Sequence, residues 1–266
     1  MDLGLDCKAC AITGASRGIG REVAERLCAE GASVLLVARS ADALAHAARE
    51  CGLVGGRAEP LALDVTEPDA GERILAAAAA SFGQLDVLVN NAGTARWRRL
   101  DEVPDDDWQE AWELNVMAPM RAMRAAAPPM ADRSWGRIVN VSSTAAKRPS
   151  ALMPEYSVAK AAELSLSRLF ADRYAGDGVL VNAVCPGPTR SGLWMSKGGL
   201  LDQSKQVGGH SSREEALETA GAKRPIGRLA EVEEIADAIV FLCSERASYV
   251  AGAAWSVDGG TVQVII

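Results

Sequence analysis

Residues Thr13-Gly14-Ala15-Ser16-Arg17-Gly18-Ile19-Gly20 separate a short, largely apolar run, Cys7-Lys8-Ala9-Cys10-Ala11-Ile12, from a segment in which Ile19, Val23 and Leu27 recur every four residues. The first run reads as a buried strand, the second as one face of a helix that stops at Gly31. Glycines between them let the backbone turn sharply and come close to a ligand, while the helix N-terminus offers free N–H groups and positive potential. These features predict a loop that cradles a pyrophosphate. A glycine-rich turn takes that meaning from a strand before it and a helix after it, and both are present. The spacing, Gly-x3-Gly-x-Gly, departs from the commoner Gly-x-Gly-x-x-Gly.

Outward from this loop, apolar runs keep alternating with helical patterns. Strands are expected at residues 32–39, 60–65, 85–90, 136–142, 179–185 and 253–258. Ser40 should cap a helix that ends at Gly52, and Thr66-x-x-Asp69 resembles a capping box for the alanine-rich helix that stops at Gly83. A long helix is expected from about Asp105 to Ala127, with Pro128 and Pro129 just past its end, and others over 155–174 and 231–244. The strands are rich in Val, Leu and Ile without clean alternation, as in strands covered on both faces. Strands joined by helices imply right-handed crossovers. The fold class is therefore α/β: a Rossmann-type doubly wound parallel sheet of about seven strands, in a single domain over residues 1–266. Residues 187–224 interrupt the pattern. They are polar and glycine-rich, contain no strand, and follow the C-terminal end of one, where such sheets bind ligands; a substrate lid is expected there.

The bulk composition narrows the function classes. A net charge of −7, with 24 % charged and 48 % hydrophobic residues, describes a globular chain and argues against nucleic-acid binding. No apolar run reaches membrane-spanning length, and the N-terminus lacks a basic stretch followed by an apolar one. A cytoplasmic location without membrane contact is the expectation. The cysteines at 7, 10, 28, 51, 185 and 243 are scattered, and Cys7-x-x-Cys10 has no second ligand pair beyond His46 and His210. No metal site is expected, and the thiols read as buried or edge groups in a reducing compartment. Neither histidine can plausibly complete a nucleophilic triad. The acidic run Asp105-Asp106-Asp107 reads as a helix start, where negative charge suits the dipole.

Further along, Tyr156 and Lys160 stand four apart on one helix and so share a face. A tyrosine is a poor base at neutral pH; a neighbouring ammonium favours the phenolate. The phenol could then give its proton to a developing alkoxide. The glycine loop, Asn90-Asn91-Ala92-Gly93 after the fourth strand and Tyr156-x3-Lys160 together resemble the short-chain dehydrogenase/reductase family, over about residues 8–260. Asp64, Asn115, Ser143, Pro186-Gly187 and Val257-Asp258-Gly259-Gly260 add to the resemblance, which extends to 3-oxoacyl-carrier-protein reductases. It implies a catalytic set of Asn115, Ser143, Tyr156 and Lys160. Ser143 lies thirteen positions before Tyr156 and would donate to the substrate oxygen; Ser142, its neighbour on a strand, should face the other way. Asn115 would hold a proton-relay water near the lysine.

The resemblance also implies the cofactor-binding set: Gly14, Ser16, Arg17, Gly18, Ile19 and Gly20 in the loop; Arg39 and Ser40 after the second strand; Asp64 and Val65 after the third; Asn91, Ala92 and Gly93; Tyr156 and Lys160; and Pro186, Gly187 and Thr189. An acidic residue at the end of the second strand would select the ribose 2′-OH of NAD. Here that end reads Val37-Ala38-Arg39-Ser40, and Arg39 and Arg17 suit a 2′-phosphate, so the expected cofactor is NADP(H). Trp97, Thr144, Met153, Leu193, Trp194 and Met195 flank the site motifs and predict an apolar, cyclic or acyl substrate. Arg96, Arg98 and Arg99 could meet an anionic handle or simply be solvated. The expected activity is hydride transfer between the nicotinamide and a ketone or secondary alcohol. A catalytically idle nucleotide sensor and an NAD-dependent alcohol dehydrogenase are the alternatives; the sensor would be expected to lack Tyr156 or Lys160. The apolar end Val262-Gln263-Val264-Ile265-Ile266 and the family habit together point to a homotetramer.

Overall fold

Seven parallel strands form one sheet in the order β3-β2-β1-β4-β5-β6-β7 in the computed structural model. It describes residues 2–263, the side chains of 207 and 208 excepted. Val264, Ile265 and Ile266 of the apolar C-terminal end lie outside the described residues. The strands are β1 (Ala9–Thr13), β2 (Ser33–Ala38), β3 (Arg57–Ala62), β4 (Val87–Asn90), β5 (Gly136–Val141), β6 (Val179–Pro186) and β7 (Ala254–Val257). Strand β1 shows why such runs lack alternation. Cys10 and Ile12 belong to the core on one side of the sheet and Ala11 to the core on the other, and all three are fully buried.

Helices α1 (Gly18–Ala29), α2 (Ala41–Leu53) and α11 (Val232–Cys243) cover the first side; α3 (Ala70–Phe82), α5 (Ala118–Asp132) and α7 (Pro154–Tyr174) cover the second. Val23 and Leu27 of α1 are fully buried, with Ile19 packed beside them. The Ser40 hydroxyl caps α2 by accepting from the Ala43 N–H at 3.4 Å, and Gly83 ends α3 in the left-handed conformation. Because parallel strands all end on one edge, the order reversal between β1 and β4 opens a crevice there, the place where such sheets hold ligands.

Several boundaries differ from the sequence reading. Strand β3 begins earlier than expected and carries Pro60, which is tolerated because β3 is an edge strand paired only with β2. Thr66 does not cap α3: Asp69 is its N-cap and makes no side-chain cap bond. The Thr66 N–H and hydroxyl instead donate to Asp64 Oδ1 at 3.0 and 2.8 Å. A capping box does form at α11, between Glu231 and Glu234. The long helix is three pieces, α4 (Asp105–Trp112), a π-helical turn at Glu113–Met117 and α5, which runs on through Pro128 and Pro129 to Asp132. Met123, Ala126, Ala127 and Met130 of α5 are buried in the core, and this packing outweighs the two backbone bonds that the prolines forgo.

Residues 187–224 hold three short helices, α8 (Gly192–Met195), α9 (Leu200–Gly208) and α10 (Arg213–Ala222). They share a small apolar cluster built on Trp194, Leu200, Leu201, Ala216 and Ala220. The remaining helix, α6 (Thr144–Lys147), follows β5 directly.

The fully buried Leu27 and the 81 % exposed Leu53 test the packing assignment. Leu27→Ala should lower unfolding stability by about 2–5 kcal/mol through lost burial and a residual cavity, whereas Leu53→Ala should change it by less than about 0.5 kcal/mol. Denaturant midpoints measured side by side check this, and equal effects would contradict the assignment.

Candidate active site

The C-terminal ends of β1 and β4 are tied together by one hydroxyl. Thr13 Oγ1 accepts from the Asn91 N–H at 2.9 Å and the Ala92 N–H at 3.0 Å. The Asn91 side chain returns the contact, its Nδ2 donating to the Thr13 carbonyl at 2.9 Å. This brace passes directly under the glycine loop. A Cβ on Gly20 would strike Asn91 Nδ2 and lie 2.7 Å from the Gly14 carbonyl oxygen. Gly14 has φ +68°, and a Cβ there would lie 2.9 Å from Asn91 Nδ2. These two positions leave no room for a side chain, so the loop backbone is the surface offered to a ligand at the start of α1. Ser16, Gly18 and Ile19 complete the turn. Arg17 is exposed, and its Cδ lies 3.4 Å from where a Cβ on Gly192 would stand, so its side chain reaches the first helix of the 187–224 segment.

The other expected cofactor positions lie along the same edge. Arg39, just beyond β2, is exposed and has no ion pair within 4.0 Å among the described residues. It lies near enough to Asp64 to help hold that carboxyl below its ordinary range, after the larger effect of the Thr66 N–H. Ser40 is spent as an acceptor on its cap. Val65 packs beside the second core. Beyond β6, Gly187 fits tightly against Asp258, where a Cβ would come 2.9 Å from the Asp258 Cα. Asp258 itself accepts from the Gly260 and Val262 N–H groups. Thr189 is buried and donates its hydroxyl to the Gly187 carbonyl at 2.9 Å. A bare glycine backbone at a helix start, flanked by these turns, fits a dinucleotide.

Ser143, Tyr156 and Lys160 converge next to this edge. The two serines after β5 part as strand geometry requires: the Ser142 hydroxyl donates to the Lys160 carbonyl at 3.2 Å, while Ser143 caps α6 by accepting from the Ala145 N–H at 3.0 Å and lies near enough to the Tyr156 phenol to help draw it down. Lys160 Nζ lies 5.9 Å from the Tyr156 ring centroid. The lysine is 2 % exposed; its ammonium donates to the Val141 carbonyl at 2.9 Å and to Glu163 Oε2 at 3.0 Å. Burial pushes the Tyr156 phenol above the ordinary tyrosine range, and Lys160 and Ser143 pull it back only in part. The lowering that the sequence suggests is thus outweighed by desolvation within the chain itself. The Lys160 ammonium is itself held above the lysine range, because Glu163 and Tyr156 outweigh its burial.

Asn115 sits in the π-helical turn, a distortion that re-aims side chains. Its Nδ2 donates to the Ala111 carbonyl, and its Oδ1 is buried with no partner among the described residues. That oxygen and Lys160 Nζ border Gly93, at 3.1 and 3.8 Å from a Cβ placed there. Trp97, Met153, Leu193, Trp194 and Met195 all meet in the apolar cluster under α8–α10, and the Trp97 N–H donates to Gln203 of α9 at 2.8 Å. Thr144 stands apart from them on α6. Arg96 and Arg98 pair with Asp107, and Arg99 with Asp101, so the arginine cluster is already neutralised. Two members of the site were missed from sequence. Thr13 reads as an ordinary strand end. Glu163 continues the Tyr156, Lys160 spacing by one further helical step, a signal visible in hindsight.

Residues 14–262 match the family described as Enoyl-(Acyl carrier protein) reductase. A 3-oxoacyl-[acyl-carrier-protein] reductase of Salmonella typhimurium is 34 % identical over 253 residues, 95 % of this chain and 96 % of that protein. Cis-4-hydroxycyclohexanecarboxylate dehydrogenase of Sinomonas cyclohexanicum is 39 % identical over 256 residues, with the same two shares covered. The crystal structure of L-sorbose reductase from Gluconobacter frateurii, complexed with NADPH and L-sorbose, superposes with a TM-score of 0.92 at 37 % identity, covering all of both chains.

Thr13→Val keeps the shape of the side chain but strands two backbone N–H groups. It should cost about 1–3 kcal/mol of unfolding stability and weaken dinucleotide binding, because unpaired buried donors are penalised in full. Urea unfolding and nucleotide-induced fluorescence change measure the two effects. Wild-type values for both would show that the brace is dispensable.

Proposed function

Because this chain belongs to the short-chain dehydrogenase/reductase family, we propose that it is an NADP(H)-dependent oxidoreductase that interconverts a ketone and a secondary alcohol, with Tyr156 as general acid and base. The convergence of Tyr156, Ser143 and buried Lys160 beside an open glycine loop carries this reading. When bound, the nicotinamide cofactor supplies or receives the hydride. The residues of the chain do the rest. Ser143 donates to the substrate oxygen. Tyr156 gives its proton to that oxygen as the carbonyl is reduced and takes it back in the reverse direction. Lys160 supplies positive potential beneath the phenol, and Asn115, with its free buried oxygen, holds the water that returns the proton.

Gly14, Ser16, Gly18, Ile19 and Gly20 would hold the pyrophosphate; Asp64 and Val65 the adenine end; Ala92, Gly93, Pro186, Gly187 and Thr189 the nicotinamide half. Arg39, exposed, unpaired and following a strand that ends without a carboxylate, supports the choice of NADP(H). The relatives act on chemically unlike compounds by their names, so the lining decides the substrate. Trp97, Met153, Leu193 and Trp194 with Thr144 favour an apolar, cyclic or acyl ketone. A panel of ketones and alcohols followed by reduced-nicotinamide absorbance is the direct test, and silence across the panel with both cofactors would overturn the reading.

Tyr156→Phe removes only the proton donor. Turnover should fall by about two to four orders of magnitude, the usual worth of a general acid, while cofactor binding changes little. Appreciable turnover by that variant would refute the role given to Tyr156.

Arg39→Ala removes a charge-assisted bond worth about 1.5–3 kcal/mol. NADP(H) should bind about ten- to a hundredfold more weakly, and NAD(H) should be nearly unaffected. The difference should shrink as salt rises, since the contact is exposed. Equal weakening of both cofactors, measured by isothermal titration, would rule out Arg39 as the phosphate ligand.

A further inference from the structure

Glu163 takes no part in the chemistry described above, yet its carboxylate is paired with the lysine at the centre of it. It is 1 % exposed, on the same face of α7 as Tyr156 and Lys160, and its Oε2 accepts from Lys160 Nζ at 3.0 Å. Burial pushes its carboxyl above the ordinary range, and Lys160 draws it back only in part. A buried carboxylate is costly unless paired and hydrogen-bonded. A helix that packed at this point with an apolar residue would avoid that cost altogether. The position therefore calls for an explanation in terms of charge.

Resting on the hydride-transfer reading, we propose that Glu163 is a positioning residue of the site: its carboxylate fixes the Lys160 ammonium and offsets its charge at the Tyr156 hydroxyl, biasing the site toward proton donation and hence carbonyl reduction. Without the carboxylate, the half-buried phenol and the buried ammonium together carry a net positive charge, and loss of a proton relieves it. With the carboxylate, the cluster is neutral while the phenol keeps its proton. The surroundings leave this balance to Glu163. The small cavity that its carboxylate borders is lined by Thr13, Asn90, Ala92, Leu114 and Ala118 among others, and no other lining residue is charged. Cys185 also faces Tyr156 and Lys160, but burial pushes its thiol up to about 11, so it is neutral in the working range. On the outer side of Tyr156, Asp107, Glu110 and Arg96 line a groove with Glu155. There Arg96 is paired with both Asp107 and Glu110. Glu163 also raises the phenol directly, in the same direction as burial.

The test is the titration of Tyr156 itself. The chain has three tyrosines, so near-ultraviolet phenolate absorbance, with Tyr156→Phe as the blank, isolates the one in the site. In Glu163→Gln the ammonium keeps two acceptors, the Val141 carbonyl and the amide oxygen, so the phenol is the group that gives up its proton. The midpoint should fall, giving about tenfold or more phenolate at a fixed pH, equivalent to one pKa unit. The rising limb of alcohol oxidation against pH should move to lower pH with it, and carbonyl reduction should fail at lower pH than in the wild type. Glu163→Asp, which keeps the charge but not the length, should return the midpoint toward wild type. A role in packing alone predicts the reverse order, with the near-isosteric Gln like wild type and Asp displaced, and that order would overturn the proposal. So would an unmoved midpoint in Glu163→Gln. The phenolate titration needs no substrate. A shifted midpoint in a protein that turns over no carbonyl would uphold the coupling and refute the hydride-transfer reading; normal turnover with an unshifted midpoint would do the opposite. Should Glu163→Gln not fold, Glu163→Ala removes the same charge and should move the midpoint in the same direction; no movement there would overturn the proposal.

Discussion

Two backbone N–H groups on one threonine hydroxyl decide where everything else in the site can be. A doubly wound sheet reverses its order between β1 and β4, and at that gap no strand-to-strand bonds continue past the last residues. Thr13 Oγ1 closes the gap by accepting from Asn91 and Ala92, and Asn91 Nδ2 fastens the loop from below. The glycines at 14 and 20 follow from this: the space that their side chains would occupy is taken by the amide that holds the loop. The Asn-Asn-Ala-Gly turn and the glycine loop are thus one structure, its bonded partners Thr13 and Asn91 78 residues apart in the chain, and the dinucleotide reading belongs to the pair rather than to either motif.

The second constraint is electrostatic. Lys160 is 2 % exposed, and its ammonium is held by a carbonyl and a carboxylate with the Tyr156 ring centroid 5.9 Å away. Each comes from a different source. Val141 ends β5, Glu163 lies one turn along the helix, and Tyr156 one turn back. Ser142 fixes the helix backbone to the end of β5 through the Lys160 carbonyl, while Ser143 caps α6 and lies near the Tyr156 phenol. Adjacent residues just past one strand therefore take up different partners, which continues the alternation of the strand by a single step of chain.

Most of this fold can be read from the sequence, since strands buried on both faces are long apolar runs and the helices between them carry clear caps such as Ser40 and Gly83. What could not be read shares a cause: local pattern was overruled by contacts distant in sequence. Pro128 and Pro129 mark a helix end by propensity, yet Met130 beyond them is fully buried in the core and the helix runs on. Thr66 and Asp69 have the spacing of a cap, but Thr66 is drawn to Asp64 instead. In the site, the catalytic-type residues were legible because Tyr-x3-Lys and the glycine spacing are rigid requirements. Thr13 and Glu163 were not, because a strand-end threonine and a helical glutamate are common everywhere and only three-dimensional contacts single them out.

The substrate side obeys a different logic. Trp97 and Met153 come from the sheet edge and the start of α7, Leu193 and Trp194 from α8, and all pack into the one cluster that also holds α9 and α10 together. A change at one of these side chains is therefore also a change in how α8–α10 pack. Burial within α8–α10 selects the same residue types as binding an apolar ligand would. The polar groups of the chain have one arrangement that satisfies them, whereas apolar side chains are satisfied by many packings.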